Sequence, residues 1–304
     1  MEHFNLTIIG AGPAGLTAAI YAKRAGLNVL IIERGLTGGQ INLTSDVMNY
    51  PGFAKIGGME LAGAMREHAA GLGAEFRERG VTGVSFGNDK IIRTDEGGIS
   101  ADAVIIAVGS TMRRVGCKGE AEFFGNGVSS CAVCDGALYQ DVPVAVIGGG
   151  LTAVEEAEFL TRFASKVYIV HRRDEFRAPR AAVERTLSNP KIEPVMSRVP
   201  DEIYGEFGVR GLRVRSVKDG SLRDIELEGV FVFVGTAPNV DFLSGSGIVM
   251  NDGGWIKTDE KMETSVKGVF AAGDVRDKFL RQVITAAGDG AVAAMAAYEH
   301  IKGV

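Results

Sequence analysis

Two segments of the chain repeat one pattern. Residues 5–35 read NLTIIGAGPAGLTAAIYAKRAGLNVLIIERG, and residues 142–174 read VPVAVIGGGLTAVEEAEFLTRFASKVYIVHRRD. Each opens on a β-branched run, turns at glycines into an amphipathic helical stretch, and closes on a second β-branched run. That is the pattern of a βαβ unit. The copies align without a gap, Gly10 with Gly148, Gly12 with Gly150 and Gly15 with Ala153. The first glycine permits the tight turn, the second lets a pyrophosphate approach the backbone, and the third, or an alanine, lets helix and strand pack closely. The phosphates then lie on the helix N-terminus, where free N–H groups and the helix dipole favour anions. One such motif is weak evidence. Two, each between a strand and a helix, predict two dinucleotide sites.

The copies differ at their ends. Glu33, which closes the second strand of the first copy, falls opposite His171 of the second. An acid there suits a ribose hydroxyl pair, so the first site reads as FAD or NAD. The second copy has no acid but HRRDEFR, with His171, Arg172, Arg173 and Arg177. Guanidinium groups attract a 2′-phosphate and bind it bidentately, so this site reads as NADPH rather than as a solvated basic surface.

Residues 38–52, GGQINLTSDVMNYPG, form a glycine-rich polar loop after the first copy. Near the other end, a short strand at 268–272 runs into Gly273-Asp274, and a small-residue helix starts around Arg281 or Gln282. Asp274 is a candidate acceptor for a ribitol hydroxyl, although a plain loop aspartate has the same spacing. Two β-branched runs, 103–114 and 229–240, each end in Val-Gly followed by a small hydroxyl residue. They read as crossings between domains. The fold expected is α/β, with two Rossmann-like dinucleotide-binding domains, the second (114–237) inserted into the first (1–113 and 238–304). Residues 190–228 alternate short apolar runs with turns and predict antiparallel structure, with SVKDGSLRDIEL as a hairpin.

Just before the second glycine turn lies GVSSCAVCDGALY, residues 127–139, with Cys131 and Cys134 two residues apart and Asp135 next. Three cysteines in 304 residues do not make a disulfide scaffold. In a reducing compartment a close pair is catalytic or metal-binding rather than structural. Zinc wants four ligands. Beyond this pair there are only Cys117, read as a free thiol, and four scattered histidines: His3, His68, His171 and His300. No metal site is expected. A net charge of −5 and the absence of a basic run argue against nucleic acid. No apolar run reaches membrane-spanning length. The N-terminus enters a strand-like run at once, without room for a signal peptide, so a cytoplasmic protein is expected.

Over nearly its whole length the chain resembles the low-molecular-weight thioredoxin reductases of bacteria and archaea. The resemblance rests on CAVCDG, on GGGLTAVEEA with HRRDEFRA, on GGQ…NYPG, and on IIGAGPAG and AAGDV…RQVITAAGDG at the two ends. It implies a homodimeric flavoprotein in which electrons run from NADPH to FAD, to the cysteine disulfide and on to thioredoxin. Cys134 would face the flavin, Cys131 would attack the thioredoxin disulfide, and Asp135 would carry protons. FAD would be held by Gly10, Gly12, Pro13, Ala14, Gly15, Glu33, Arg34, Gly38, Gly39, Gln40, Asn49, Gly109, Gly273, Asp274, Val275, Arg281, Gln282 and Val283. NADPH would be held by Gly148, Gly149, Gly150, Leu151, Thr152, Ala153, His171, Arg172, Arg173 and Arg177. Leu151 departs from the small polar residue common there, which removes a hydrogen bond near the nucleotide. The resemblance also implies that the inserted domain rotates about the crossings at Met112–Arg114 and Ala237–Asn239. A reductase of another small redox protein, a ferredoxin-fed relative with weak nicotinamide use, and a flavin-binding redox sensor are the competing readings.

Overall fold

The computed structural model describes residues 1–43, 47–87 and 89–304. Residues 44–46 of the expected glycine-rich loop lie outside the described residues. The chain divides into two compact units, Met1–Thr111 with Ala237–Val304, and Met112–Thr236.

The first unit opens with β1 (Glu2–Ile9), α1 (Pro13–Arg24) and β2 (Val29–Glu33). Pro13 sits at the first helical position, where its missing N–H loses no hydrogen bond. Then come α2 (Gly58–Gly71), β3 (Glu75–Glu78), β4 (Val81–Phe86), β5 (Lys90–Thr94), β6 (Gly97–Ile106) and β7 (Ser110–Met112). The sheet order is β3-β2-β1-β6-β5-β4. The strands from β3 to β6 run parallel, whereas β5 and β4 are antiparallel additions.

The second unit carries β8 (Val128–Ser129), α3 (Ala132–Asp135), β9 (Pro143–Ile147), α4 (Leu151–Leu160), β10 (Lys166–Val170), α5 (Arg180–Leu187) and β11 (Ile192–Val195). It continues through β12 (Arg198–Gly205), β13 (Val209–Ser216), β14 (Leu222–Glu226) and β15 (Gly229–Val232). Its main sheet, β11-β10-β9-β15-β8, is wholly parallel, and its strands are apolar on both faces, as a sheet covered on both sides requires. Val144, Val146, Ile169 and Phe231 pack toward α4, while Ala145, Ile147 and Val170 pack with Leu212 and Val214 of β13. Strands β12-β13-β14 form the antiparallel sheet expected for 190–228, with β13–β14 as the hairpin.

β16 (Thr236–Pro238) pairs with β7 where the chain passes between units. The first unit is then completed by β17 (Val269–Ala271) and α6 (Val283–Lys302). The long strand β6 pairs with β5 along its first half and with β17 along its last residues. α6 lies against α1 at near-backbone contact: a Cβ added to Gly290 would fall 2.1 Å from the Ala14 carbonyl oxygen. Ala18, Ala22, Ala293, Ala294 and Ala297 are fully buried alongside it.

Candidate nucleotide turns and a disulfide centre

In the first unit the turn Gly10–Gly15 joins β1 to α1. Gly10 has φ +106°, and a Cβ there would meet the Ala107 carbonyl at 2.4 Å. A Cβ on Gly15 would strike the Gly10 carbonyl oxygen at 1.9 Å. Gly12 is different: nothing approaches its added Cβ closer than the Gly38 carbonyl at 4.0 Å, which leaves the backbone open to a ligand. The Glu33 carboxylate accepts the N–H groups of Ala11 (2.8 Å) and Gly35 (3.0 Å), so it already stands beside this turn.

Several distant segments converge here. The Gly38 N–H donates to the Ala11 carbonyl at 2.8 Å, and the Gln40 amide donates to the Ser110 carbonyl. Gly39 lies against Gly12, and Gly273 against Ala14. Asn49 donates to Gln282 at 3.0 Å, and Gln282 caps α6 in a reciprocal box with Thr285. The helix therefore begins at Val283, with Gln282 as its cap. Gly109 accepts the Asn239 N–H, and Arg34 is exposed at the rim.

Asp274 is not a plain loop aspartate. Its Oδ1 is buried without a hydrogen-bond partner among the described residues. Burial pushes its carboxyl above the ordinary value, against the pull of Lys278 and Arg281. Arg281 donates to the carbonyls of Asp274 and Arg276, and its guanidinium stacks 3.9 Å from the Trp255 ring centroid. A buried, unused acceptor between two helix-and-turn segments fits the hydroxyls of a dinucleotide.

In the second unit Gly148 takes the tight turn, and its added Cβ would meet the Phe233 carbonyl at 2.5 Å and Ala153 at 2.8 Å. Gly150 is open, with nothing within 4 Å of an added Cβ. It caps α4 without a side-chain hydrogen bond, which leaves N–H groups free for phosphate. Leu151 and Thr152 are exposed. Arg172, Arg173 and Arg177 are also exposed, and the Arg177 N–H bonds the Gly149 carbonyl at 2.7 Å, which brings this segment to the turn. His171 lies beneath the turn itself. Its ring is buried under Gly149, where an added Cβ would fall 2.2 Å from Nδ1, and it stacks on Phe176. Burial, more than the nearby arginines, lowers its pKa.

Cys131 and Cys134 form a disulfide. Cys131 caps the short helix α3, and the Cys134 N–H points at Cys131 Sγ at 3.2 Å. The Ser129 hydroxyl donates to Asp135 Oδ2 at 2.6 Å and accepts the Cys131 N–H at 3.1 Å. Ser129 thus ties the carboxylate to the cysteine loop, a role that its place two residues before the first cysteine did not disclose. Tyr139 packs edge-on to Phe231, and burial with the Asp135 charge pushes its hydroxyl up to about 12. Cys117 is a free, half-buried thiol pushed up to about 11 by burial and then Glu120. The described residues contain no metal-binding group of three or more His, Cys, Asp or Glu.

Residues 4–290 match the family described as pyridine nucleotide-disulphide oxidoreductase. The chain belongs to that family. Within it, the chain is 44% identical over 301 residues to thioredoxin reductase of Bacillus subtilis (strain 168), covering 98% of this chain and 95% of that one. It is 42% identical to the thioredoxin reductase of Peptoclostridium acidaminophilum, covering 98% and 97%. Among solved structures, thioredoxin reductase from Streptococcus pyogenes MGAS5005 superposes with a TM-score of 0.94 at 43% identity, covering 99% of both chains. This member of the pyridine nucleotide-disulphide oxidoreductase family therefore combines two open glycine turns with one cysteine disulfide.

Proposed function

We propose that the chain is an NADPH-dependent thioredoxin-disulfide reductase whose working disulfide is Cys131–Cys134. The observation that carries this reading is the disulfide itself, with a carboxylate held beside it by Ser129. Family membership and the thioredoxin reductases at 42–44% identity support it.

FAD belongs to the first unit, on the Gly10–Gly15 turn, Glu33 and Asp274. NADPH belongs to the second, on the Gly148–Ala153 turn, with Arg172, Arg173 and Arg177 toward its 2′-phosphate. When bound, FAD supplies the two-electron relay between nicotinamide and disulfide. Two electrons and two protons open the S–S bond to two thiols, and Asp135 exchanges a proton with them. Cys131, as thiolate, then attacks the thioredoxin disulfide, forms a mixed disulfide and expels one partner thiolate. The Cys134 N–H, which already points at Cys131 Sγ, stabilises that thiolate. Cys134 next attacks Cys131 Sγ, releases the second partner thiol and restores the disulfide.

Anaerobic titration of the FAD-loaded protein tests this. NADPH should bleach the flavin band, NADH should do so poorly, and oxidised thioredoxin should restore the colour. A flavin that neither nucleotide bleaches but reduced ferredoxin does would replace the reading with a ferredoxin-fed reductase.

Two further assignments belong to this reading. A second copy covers the exposed apolar face of α6 and α1, where Ile284, Val292, Met295 and Tyr21 line up. A sedimentation mass of one chain would refute that homodimer. A working dithiol and the free Cys117 suit the reducing cytoplasm. No helix among the described residues is long and apolar enough to cross a membrane.

A further inference from the structure

A cavity of about 680 Å³ opens in the first unit away from its glycine turn, lined by His3, Asp89, Lys90, Ser100, Asp102 and His300. It meets β6 at Ser100–Asp102 in mid-strand, whereas the Gly10 turn meets Ala107, just after the strand's last residue. It meets α6 near its end, whereas Gln282 caps its start. A helix of 20 residues spans about 30 Å. The cavity therefore belongs to neither nucleotide turn.

Its floor holds a lysine without a counter-charge. Lys90 is only 8% exposed, and its ammonium has no hydrogen-bond or carboxylate partner among the described residues. The nearby acids are committed elsewhere. Asp102 takes His3 Nε2 at 3.1 Å and the Asn5 amide at 2.9 Å, and Glu263 takes the Gly268 N–H at 3.1 Å. Lys90 is also not alone. A methyl built on Gly268 would lie 2.6 Å from Lys90 Cε and 2.4 Å from His300 Nε2, so the two side chains flank one point. The His300 ring is set edge-on to Phe270, which fixes its direction. Elsewhere in the lining, the Ser100 hydroxyl donates to the Glu2 carbonyl at 3.2 Å and lies 3.1 Å from His3 Nδ1.

We propose that this cavity binds the phosphate group of a small organic phosphate, seated on Lys90 and His300. The Lys90 ammonium, without an ion-pair partner among the described residues, can donate to an oxyanion that enters the cavity, and charge-assisted hydrogen bonds of this kind are the stronger ones. Lysine and imidazole donors converging from different elements suit a tetrahedral oxyanion. The volume exceeds what phosphate alone fills and lies within the usual range for small-molecule sites. Asp89 and Asp102, both in the lining, repel a second anionic group and accept hydroxyls, so the organic part is neutral and hydroxylated.

The four histidines make the test direct. In the FAD-loaded protein, imidazole resonances are followed while inorganic phosphate, and separately glycerol 3-phosphate, is added. His300 and His3 report on the cavity, His171 on the arginine cluster, and the exposed His68 is the control. The expected result is a saturable shift of His300 and His3, weakened at least tenfold in Lys90→Met and retained in Lys90→Arg, with glycerol 3-phosphate binding tighter than phosphate. Thermal unfolding checks that both variants are folded. A response confined to His171, or one unchanged in Lys90→Met, would overturn the site. Equal affinity for the two probes would overturn its assignment to an organic phosphate.

Discussion

Asp289 Oδ2 accepts the backbone N–H of Gly273 at 3.0 Å, so a residue in the second turn of α6 fixes the turn that presents Asp274. The same oxygen takes Lys278 Nζ at 2.7 Å and Arg276 Nη1 at 2.9 Å, and all three side chains are nearly buried. Removing one partner of a buried ion cluster costs about 3–5 kcal/mol, because the remaining charges stay desolvated. Asp289→Ala should therefore lower unfolding stability by that order and release FAD more readily. Asp289→Asn, which keeps an acceptor for Gly273, should lose less. Urea unfolding and retention of flavin on gel filtration give the two readouts.

The Ser129–Asp135 bond makes a graded prediction. Asp135→Asn removes the proposed proton carrier and should slow thioredoxin reduction by about 10²–10⁴-fold, with FAD content unchanged. Ser129→Ala leaves the carboxylate but frees its orientation, and should slow turnover less. Wild-type turnover in Asp135→Asn would remove the residue from the mechanism.

If Asp274 holds FAD as proposed, its titration links cofactor binding to pH. Burial raises its folded-state pKa above the ordinary 3.8. The unfolded chain then releases this proton at lower pH than the folded chain does. The contribution to apoprotein stability is therefore greatest in acid. It is lost as pH rises from the ordinary carboxylate range through the raised folded value. Asp274→Asn should flatten that slope, raise the melting temperature of the apoprotein at neutral pH and weaken FAD binding. A slope unchanged by the substitution would remove Asp274 as its source.

The exposed arginines predict nucleotide choice. Charge-assisted hydrogen bonds contribute about 1.5–3 kcal/mol each, so Arg172→Ala with Arg173→Ala should raise KM for NADPH by at least about 10-fold. KM for NADH should stay nearly constant, because NADH has no 2′-phosphate. Equal losses for both nucleotides would mean that the arginines do not read the phosphate.

What the sequence disclosed follows from how local each constraint is. Gly10, Gly15 and Gly148 are legible because a side chain there would collide with backbone within the same unit. The hairpin β13–β14 and the start of α6 are likewise short-range patterns. The sequence leaves Asp274 between a ribitol-hydroxyl acceptor and a plain loop aspartate, because its burial depends on α6 and on Arg281 stacked over Trp255. Asp289 escaped notice because its partner amide lies 16 residues away. His171 was grouped with the arginines by position, yet its ring turns inward under Gly149, a direction that the spacing does not encode.

The interruption of the first unit by the second has a consequence for synthesis. Residues 112–236 are contiguous, so the disulfide unit has its whole sheet as soon as β15 has emerged from the ribosome. The first unit must wait for β17 to join β6 and for Gly290 to close against Ala14. At about 5–20 residues per second that wait lasts seconds. During it, the face of α1 that α6 will cover has no native partner. A nascent chain arrested before α6 would carry a finished disulfide centre and an unfinished form of the proposed flavin cradle, which makes this interval the point at which chaperone capture and early flavin supply should matter most.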